Sequence, residues 1–495
     1  MAIGASRGRV VRQLLIESVL LAACGAAVGV LLTRCGLPLM VSLVPERTSF
    51  YTRVHDYGVH IDLAVLAFTG AVSLGAAAFF GVLPALRSTA PGATARFGRQ
   101  GHLRGALIAL EAALAFILLA GAGLMMNSMW RLLSVDLGFR PGHLLTMEIA
   151  LPKAKYPSLK SQSDFFAQVI DRVGRLHGVI SAGATDDLPL TREYSINRVG
   201  VPGVTDDGRA AFHSIDESYL PTMETPLVRG RLFTPADTAQ SAGVAIVNRT
   251  MAARYWPKDD PIGKTMTVST LLIDGQGFRF VMRPVEIVGV VGDVRLIALH
   301  REPRTEVYFP YRQRPQIQMA LAVRTAAHPP PLVPAIQKAV WRIDPDLPLT
   351  QVQTMDAVVA RDVTERRFVL LLVGAFAVSG LLLAAVGIGG VVQYNVRRRT
   401  QEIGIRVALG ASGGSVVWLV ARQTAAWMLL GMAAGAAGAA ALTRLLSTYL
   451  YAVKPTDAAT FALAAAALMG VAVAAGAIPA RRAARIDPIG ALRYE

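Results

Sequence analysis

The sequence predicts a polytopic α-helical membrane protein with about six transmembrane helices and one large extracytoplasmic α/β domain. The 495-residue chain is 53% hydrophobic and only 17% charged, whereas about a quarter of the residues in soluble domains are charged. The apolar residues also gather into runs of about 20, the length that crosses a bilayer as a helix. One such run would fit a buried core helix, but six favour membrane spans. The six runs are 14–33, 63–84, 105–126, 368–392, 420–446 and 459–479.

The positive charge of the chain is concentrated beside these runs. The formal net charge is +16. Four short flanking segments hold 15 arginines against the acidic residues Glu402, Asp487 and Glu495. The segments are 1–12, 87–104, 393–412 and 481–495. Under the positive-inside rule, both termini are predicted to be cytoplasmic and the long segment 127–366 external. These segments contain few aromatic residues among their arginines, so we expect no nucleic acid as a partner. The expected location is the cell membrane, which is the inner membrane in a Gram-negative cell.

Two parts of the chain resemble each other. Residues 2–33 align with 408–439, which matches AIGAS with ALGAS and sets Gly25 and Gly29 on Gly431 and Gly435. Small residues four apart let helix backbones approach closely in lipid, so these four glycines are predicted helix-packing positions. Residues 62–89 likewise align with 457–484, and Asp62 falls on Asp457. The alternative is a likeness of composition between two alanine-rich hairpins.

The repeat predicts the division of the chain. Residues 1–89 would be a partial first unit with two transmembrane helices, and 90–104 a cytoplasmic linker. A transmembrane helix at 105–126 would precede the extracytoplasmic domain at 127–366. Residues 367–495 would form a membrane domain with three transmembrane helices. A helix, an outer domain and another helix precede the second copy, and they are missing before the first. The sequence is therefore expected to begin inside a longer unit, through truncation or a misplaced start site.

The external segment mixes strand-like and helix-like patterns. The runs 243–250 and 285–295 predict strands, and Phe166, Val169 and Val173 recur at a helical period within 163–176. Gly178 is the predicted C-cap of that helix. About 240 residues suffice for one or two α/β subdomains.

No catalytic, cofactor-binding or metal-binding constellation is expected in this domain. His177 and His213 have no carboxylate or cysteine at ligand spacing, and we interpret Asp186 and Asp187 as a polar turn. The segment DDPIGKTMT at 259–267 contains GKT, but a P-loop needs glycine at position 258, where the chain has lysine. A nucleotide site is therefore excluded there.

The segment NVRRRTQEIGIRVALGAS at 395–412 lies between two predicted spans. As a helix it pairs Glu402 with Arg406 at i,i+4, and Ile403 and Val407 form an apolar stripe. Two interpretations remain open: a charged helix end that sets topology, or an amphipathic surface helix that docks a cytosolic partner. The candidate docking residues are Arg397, Arg398, Arg399, Glu402, Ile403, Arg406 and Val407.

The segment RRRTQEIGIRVALGAS at 397–412 resembles the cytoplasmic segment of MacB/FtsX-type permeases of ABC transporters. Segments 219–233 and 244–266 are similar to the family's outer domain, and PARRAARIDPIGALRYE at 479–495 to its C-terminal signature. Segment 103–139 resembles the start of the second unit in duplicated members. The resemblance implies that the outer domain is a MacB-like periplasmic core domain. It also implies a separate ABC ATPase subunit, since the sequence has no Walker A motif, and efflux by mechanotransmission to the external domain.

The resemblance leaves several partners and functions open. Another permease chain, in a homo- or heterodimer, and an extracytoplasmic adaptor are possible partners. Because the first unit is incomplete, the alternatives are an FtsX-like regulator of an extracytoplasmic cell-wall enzyme and an inactive truncated paralogue. A membrane-anchored enzyme is disfavoured, because the outer domain lacks a catalytic constellation. The residues name no substrate.

Overall fold

The computed structural model describes residues 7–42, 62–88, 97–191, 195–203, 208–274, 277–327, 329–398, 413–444 and 450–483. The chain divides into two compact units. One comprises Met1–Leu133 with Thr364–Glu495, and the other comprises Ser134–Val363. The second unit lies within the external domain predicted at 127–366.

The bounds of the elements are as follows. The helices, in chain order, are α1 (Arg7–Ser42), α2 (Leu63–Ser88), α3 (Phe97–Leu133), α4 (Leu159–Gly174), α5 (Tyr219–Met223), α6 (Arg249–Tyr255), α7 (Val333–Trp341), α8 (Met355–Asp362), α9 (Thr364–Arg398), α10 (Gly413–Leu442) and α11 (Ala458–Ala483). The strands are β1 (Leu144–Ala150), β2 (Val179–Thr185), β3 (Ser195–Gly200), β4 (Gly208–Ile215), β5 (Leu227–Gly230), β6 (Val244–Asn248), β7 (Thr265–Asp274), β8 (Gly277–Val291), β9 (Glu306–Pro310), β10 (Gln318–Thr325) and β11 (Thr350–Thr354).

Within the described residues, five helices are long and apolar enough to cross a bilayer. Their candidate spans are Ile16–Gly36, Gly105–Leu133, Arg366–Gln393, Thr424–Leu442 and Ala458–Gly476. The sixth predicted run lies in α2, where the described apolar stretch Leu63–Gly75 is shorter. The observed helices also extend past the predicted runs, since α3 begins at Phe97, inside the predicted cytoplasmic linker, and α9 continues to Arg398.

Four of these helices form a bundle. Helices α3, α9, α10 and α11 pack on one another around a core rich in small residues. The core includes Ile108, Ala112, Phe116, Ala384, Ile388, Met428 and Leu468. Helix α1 packs along α2. Because alanine leaves little side chain between backbones, such a core draws the helix axes together.

The start of the second helix is capped alike in both hairpins. The Asp62 carboxylate accepts a hydrogen bond from the Val65 backbone N–H at 2.8 Å. The Asp457 carboxylate accepts one from the Thr460 backbone N–H at 3.0 Å. Both bonds span three residues and satisfy an N–H that the first turn leaves without a helical partner.

One part of the second unit is a four-stranded antiparallel sheet in the order β11-β1-β10-β2, with α4 and α7 packed against it. The predicted helix at 163–176 is confirmed, with Phe166, Val169 and Val173 buried. The predicted cap is wrong. Helix α4 ends at Gly174 with Arg175 as its C-cap, and Gly178, at φ +88°, forms the turn into β2.

The other part is a ring of six strands. The order β4-β3-β7-β8-β6-β9 closes because β9 also pairs with β4, in parallel. Phe212, Val247, Met251, Met266 and Val307 belong to its core. The predicted strand at 243–250 is confirmed as β6 but ends at Asn248, because the Asn248 side chain caps α6. The strand predicted at 285–295 forms the second half of β8 and ends at Val291.

Within the described residues, the ring and the four-stranded sheet share one ladder pair. Thr185, the last residue of β2, lies opposite Ile215, the last residue of β4. The backbone N–H of Asp186 then donates to the Ser214 carbonyl at 3.0 Å. This junction places the residues after β2 beside the end of β4.

Candidate functional site

Two of the predicted glycines lie at the contact between α10 and α3. A Cβ built on Gly431 would stand 2.3 Å from the Ala109 carbonyl oxygen and 2.8 Å from the Ala109 Cα. A Cβ on Gly435 would stand 2.8 Å from the Ala113 carbonyl oxygen. The two helices therefore touch backbone to backbone over one turn, where only glycine fits.

The matching glycines of α1 have a different environment. No described atom lies within 4 Å of a Cβ built on Gly25 or Gly29. Within the described part of the chain, the two glycine pairs that align in sequence are thus not equivalent in packing.

The sequence interpretation passed over one carboxylate in the bundle. Glu111 lies in the candidate span Gly105–Leu133 of α3. Its Oε2 is 2.1 Å from the position that a Cβ on Gly387 of α9 would take. Ionisable groups within spanning segments are costly and commonly functional. The sequence feature that could have revealed this carboxylate is the single glutamate inside the apolar run 105–126.

Of the predicted docking segment, the structure describes only the first two residues. Arg397 and Arg398 end the long helix α9, which continues without interruption from Thr364. Arg399, Glu402, Ile403, Arg406 and Val407 lie outside the described residues. The docking role of this segment therefore stays a prediction.

The outer unit joins the bundle through two neighbouring helices. In the chain, its residues follow directly on α3 and lead directly into α9. These two helices pack closely, since a Cβ on Gly380 of α9 would lie 3.6 Å from the Ala115 Cα of α3. Both connections to the outer unit therefore continue into helices that contact each other.

A cluster of polar side chains lies at the junction of sheet and ring. One ligand atom from each of Asp186, Asp187 and His213 falls within 4.8 Å of the others. The interpretation of His213 as isolated is therefore wrong. The two aspartates lie in a bend before the turn at Leu188–Thr191, but they also converge on His213. They converge because the antiparallel pair Thr185–Ile215 sets the residues after β2 beside His213 of β4. No spacing in the sequence reveals this register.

Glu306 and Tyr308 of β9 complete the cluster. Their side chains and that of His213 line a cavity of about 10 Å³ together with Thr185, Asp187 and Tyr219. The Tyr308 hydroxyl donates to Glu306 Oε2, and that oxygen is 3.7 Å from His213 Nε2. The ring planes of His213 and Tyr308 are tilted by 31°. The cavity has about the size of one water molecule.

Burial shifts the proton affinities of this cluster. It raises the pKa of Glu306 to about 8 and that of Asp186 to about 6. Burial, and then the nearby Arg314 guanidinium, lowers the pKa of His213 to about 3. At neutral pH the imidazole of His213 is therefore uncharged, and a lone pair on one ring nitrogen is free of a proton.

The segment with the GKT tripeptide is a turn before β7. Gly263 has φ +76°, and the Lys264 ammonium donates to Asp259 at 2.7 Å. The lysine that a phosphate loop would direct to a nucleotide is thus paired with a carboxylate of its own turn.

These features define a class of protein: a multi-pass membrane protein with a large α/β domain inserted between two spanning helices. The family model for the FtsX-like permease C-terminal domain matches residues 1–91 and 374–488. The family model for the MacB-like periplasmic core domain matches residues 113–339. The chain therefore belongs to the MacB/FtsX family of ABC transporter permeases.

Several curated proteins are similar to this chain. The uncharacterized ABC transporter permease YknZ of Bacillus subtilis is 25% identical over 358 residues, which cover 69% of this chain and 82% of YknZ. The macrolide export ATP-binding/permease protein MacB of Azoarcus sp. is 24% identical, covering 58% of this chain and 43% of MacB. The pyoverdine export ATP-binding/permease protein PvdT of Pseudomonas syringae pv. tomato is 24% identical, covering 65% and 48%. The chain spans about half the length of the MacB and PvdT relatives.

Among solved structures, the periplasmic region of MacB from Actinobacillus actinomycetemcomitans matches 46% of this chain and 95% of that chain. The sequence identity is 15% and the TM-score 0.29.

Proposed function

We propose that the chain is the membrane-spanning subunit of an ABC transporter, in which a separate ATPase subunit moves the extracytoplasmic domain to export or extract a substrate. The presence of both family domains in one chain carries this proposal. The relatives MacB and PvdT are named as fused ATP-binding/permease proteins, whereas this sequence contains no Walker A motif. The chain would therefore hydrolyse no ATP by itself.

The contact between α3 and α9 supports mechanical coupling. A movement imposed at the Arg398 end of α9 is carried along a continuous helix to Thr364, where the outer unit begins. Because α3 packs against α9, a displacement of one helix shifts the other or breaks their contact. Both chain connections of the outer domain would respond to one event on the cytoplasmic side.

The orientation and the repeat are part of this proposal. By the positive-inside rule, the arginine-rich segments and both termini would lie in the cytoplasm, with 34–61, 127–366 and 447–458 outside. Residues 1–89 would form a unit related to 408–484, and the equivalent caps Asp62 and Asp457 support that relation. A partner permease chain and an extracytoplasmic adaptor belong to the same proposal. The printed names of these relatives mention permease and export functions, which favour transport over control of a cell-wall enzyme.

The docking segment 397–407 supplies the test. The full chain is purified from native membranes in mild detergent, and co-purifying ABC ATPases are identified by mass spectrometry. Replacing Glu402 by Arg puts a like charge one turn from Arg398 and from Arg406, so we expect loss of the ATPase at normal levels of the chain. In the predicted helix, Glu402→Ala removes one ion pair, and exposed pairs are worth about 0–1 kcal/mol, so the complex should largely survive.

The matched control is Glu302→Arg, at an exposed glutamate of the outer unit, which should leave the complex intact. Glu306 would be an unsuitable control because its side chain is fully buried. If Glu402→Arg retains the ATPase, the segment is a topology signal and not a docking helix. Absence of any ABC ATPase from the wild-type preparation, or magnesium-dependent ATP hydrolysis by the chain alone, would overturn the transporter proposal.

A further inference from the structure

The polar cluster at the junction of β2 and β4 is not used by the proposed transport mechanism. It joins two parts of the outer unit whose strands share, among the described residues, one ladder pair, Thr185 and Ile215. Asp186 and Asp187 are half-buried, whereas His213 is 2% exposed. The two aspartates therefore keep some contact with solvent, whereas the histidine has almost none.

Two atoms in this cluster lack partners. His213 Nε2 and Glu306 Oε1 are buried and make no hydrogen bond. Both side chains line the same cavity as Asp187. A buried polar atom without a partner costs about 1–3 kcal/mol, so two of them beside one small cavity mark a position that a water molecule or an ion would occupy.

We propose that Asp186, Asp187 and His213 bind one divalent transition-metal ion at the junction of the sheet and the ring. One imidazole nitrogen with two carboxylates is a donor set that suits Zn²⁺ and Co²⁺, whereas Mg²⁺ prefers oxygen ligands alone. Zn²⁺ holds such donors about 2.0–2.2 Å away. Tetrahedral ligands at this distance lie about 3.4 Å apart, so the three donor atoms, within 4.8 Å of one another, would draw together by about 1 Å around the ion.

Glu306 borders the site. Its Oε2 lies 3.7 Å from His213 Nε2, the unpartnered ring nitrogen that would bind the ion. Tyr308 holds Glu306 in turn through its hydroxyl.

Arg314 limits the affinity of this site. Its guanidinium lies over the rings of Phe212 and Phe309, and its charge acts on Asp186, Asp187 and His213. A bound cation therefore shares the two aspartates with an arginine. Removing that positive charge should strengthen metal binding, whereas a purely structural cluster would gain no affinity for metal.

The experiment uses the full chain in detergent, purified with a tag that contains no histidine and stripped with a chelator. Zn²⁺ is titrated in competition with a chromophoric chelator, and Co²⁺ is titrated while its visible absorption bands are recorded. We expect one Zn²⁺ per chain, which a large excess of Mg²⁺ does not displace. Zn²⁺ should also raise the temperature of unfolding, because the ion binds only the folded junction.

Four variants separate the possible outcomes. His213→Gln and Asp187→Asn should bind Zn²⁺ at least about tenfold more weakly, a loss that even removal of an outer-shell partner can produce. His177→Gln, at an exposed histidine of the same unit, should bind like the wild type. Arg314→Met should bind more tightly. Thermal unfolding of the metal-free proteins shows whether each variant is folded.

The proposal is overturned if the folded wild-type chain binds no Zn²⁺, or if His213→Gln binds it as the wild type does. Equal or weaker binding by folded Arg314→Met would also overturn it, because the ion would then lie away from the two aspartates. None of these results depends on the ATPase subunit, so they leave the transport proposal untouched.

Discussion

The α10–α11 hairpin and the α1–α2 hairpin have similar sequences but different surroundings. In α10, Gly431 and Gly435 lie against the backbone of Ala109 and Ala113. In α1, Gly25 and Gly29 have no described neighbour within 4 Å of a Cβ position. The same small-residue pattern is thus compatible with a close helix contact and with an open face. A GxxxG pair permits close approach, but it does not supply the helix that approaches.

The N-caps of the second helices, in contrast, are alike in the two hairpins. Asp62 and Asp457 make the same hydrogen bond to the residue three positions on. A cap depends on the backbone of its own first turn, so it forms wherever the local sequence repeats. The difference between the hairpins therefore lies in tertiary packing and not in local structure.

The prediction with the largest expected effect concerns the orientation of the two hairpins in the membrane. The comparison between the hairpins assumes that both cross the bilayer in the same direction. Cys24 and Cys35 are first replaced by serine, and single cysteines are placed at Ser42, Ser447, Thr94, Ser412 and Ala239. An impermeant thiol reagent on intact cells should label 42, 447 and 239 and leave 94 and 412 unlabelled. Ala239 is chosen because it is exposed, whereas Ser214 is fully buried. Labelling of 42 with protection of 447 would show that the hairpins are inverted relative to each other.

The prediction with the next largest effect concerns the packing of the glycines in α10 and α1. Gly431→Ala forces a methyl group into the Ala109 backbone, 2.3 Å from its carbonyl oxygen, so we expect a loss of about 1–3 kcal/mol in the free energy of unfolding. Gly25→Ala meets no described atom and should cost nothing measurable. The readout is unfolding of the purified full chain in detergent. Equal losses in the two variants would mean that Gly25 packs on a helix as closely as Gly431 does.

The smallest effect is on the caps and depends on pH. Hydrogen bonds from the Thr460 side chain and backbone lower the pKa of Asp457. A carboxylate whose folded pKa is lowered stabilises the fold above the pKa of about 3.9 in the unfolded chain, and that contribution fades as pH falls through the folded pKa. Asp457→Ala should therefore lower the unfolding temperature at pH 7 and have progressively less effect below about pH 4.

Asp62→Ala is the matched variant for the cap. Asp62 bonds one N–H, whereas Asp457 bonds the N–H and the hydroxyl of Thr460. The loss at pH 7 should therefore be smaller for Asp62→Ala. A destabilisation by Asp457→Ala that is independent of pH would show that the carboxylate charge does not contribute to the cap.

Much of the architecture was predictable because its signals are local. Hydrophobic runs of 20 residues need only a bilayer to become spans, and the period of Phe166, Val169 and Val173 is set by one helix. The buried cluster was not predictable. His213 and Asp187 are 26 positions apart in sequence, and they meet only because Thr185 pairs with Ile215.

The sequence alone determined which segments are apolar enough to span a membrane, where the arginines concentrate, and which family the chain belongs to. These properties depend on composition and on short motifs. Only the tertiary structure decided that Gly431 rather than Gly25 touches a neighbouring backbone, that Glu306 is buried, and that two aspartates lie beside one histidine. Each of these facts depends on which elements meet across the fold, and strand register and helix contacts are fixed by the packing of residues distant in sequence.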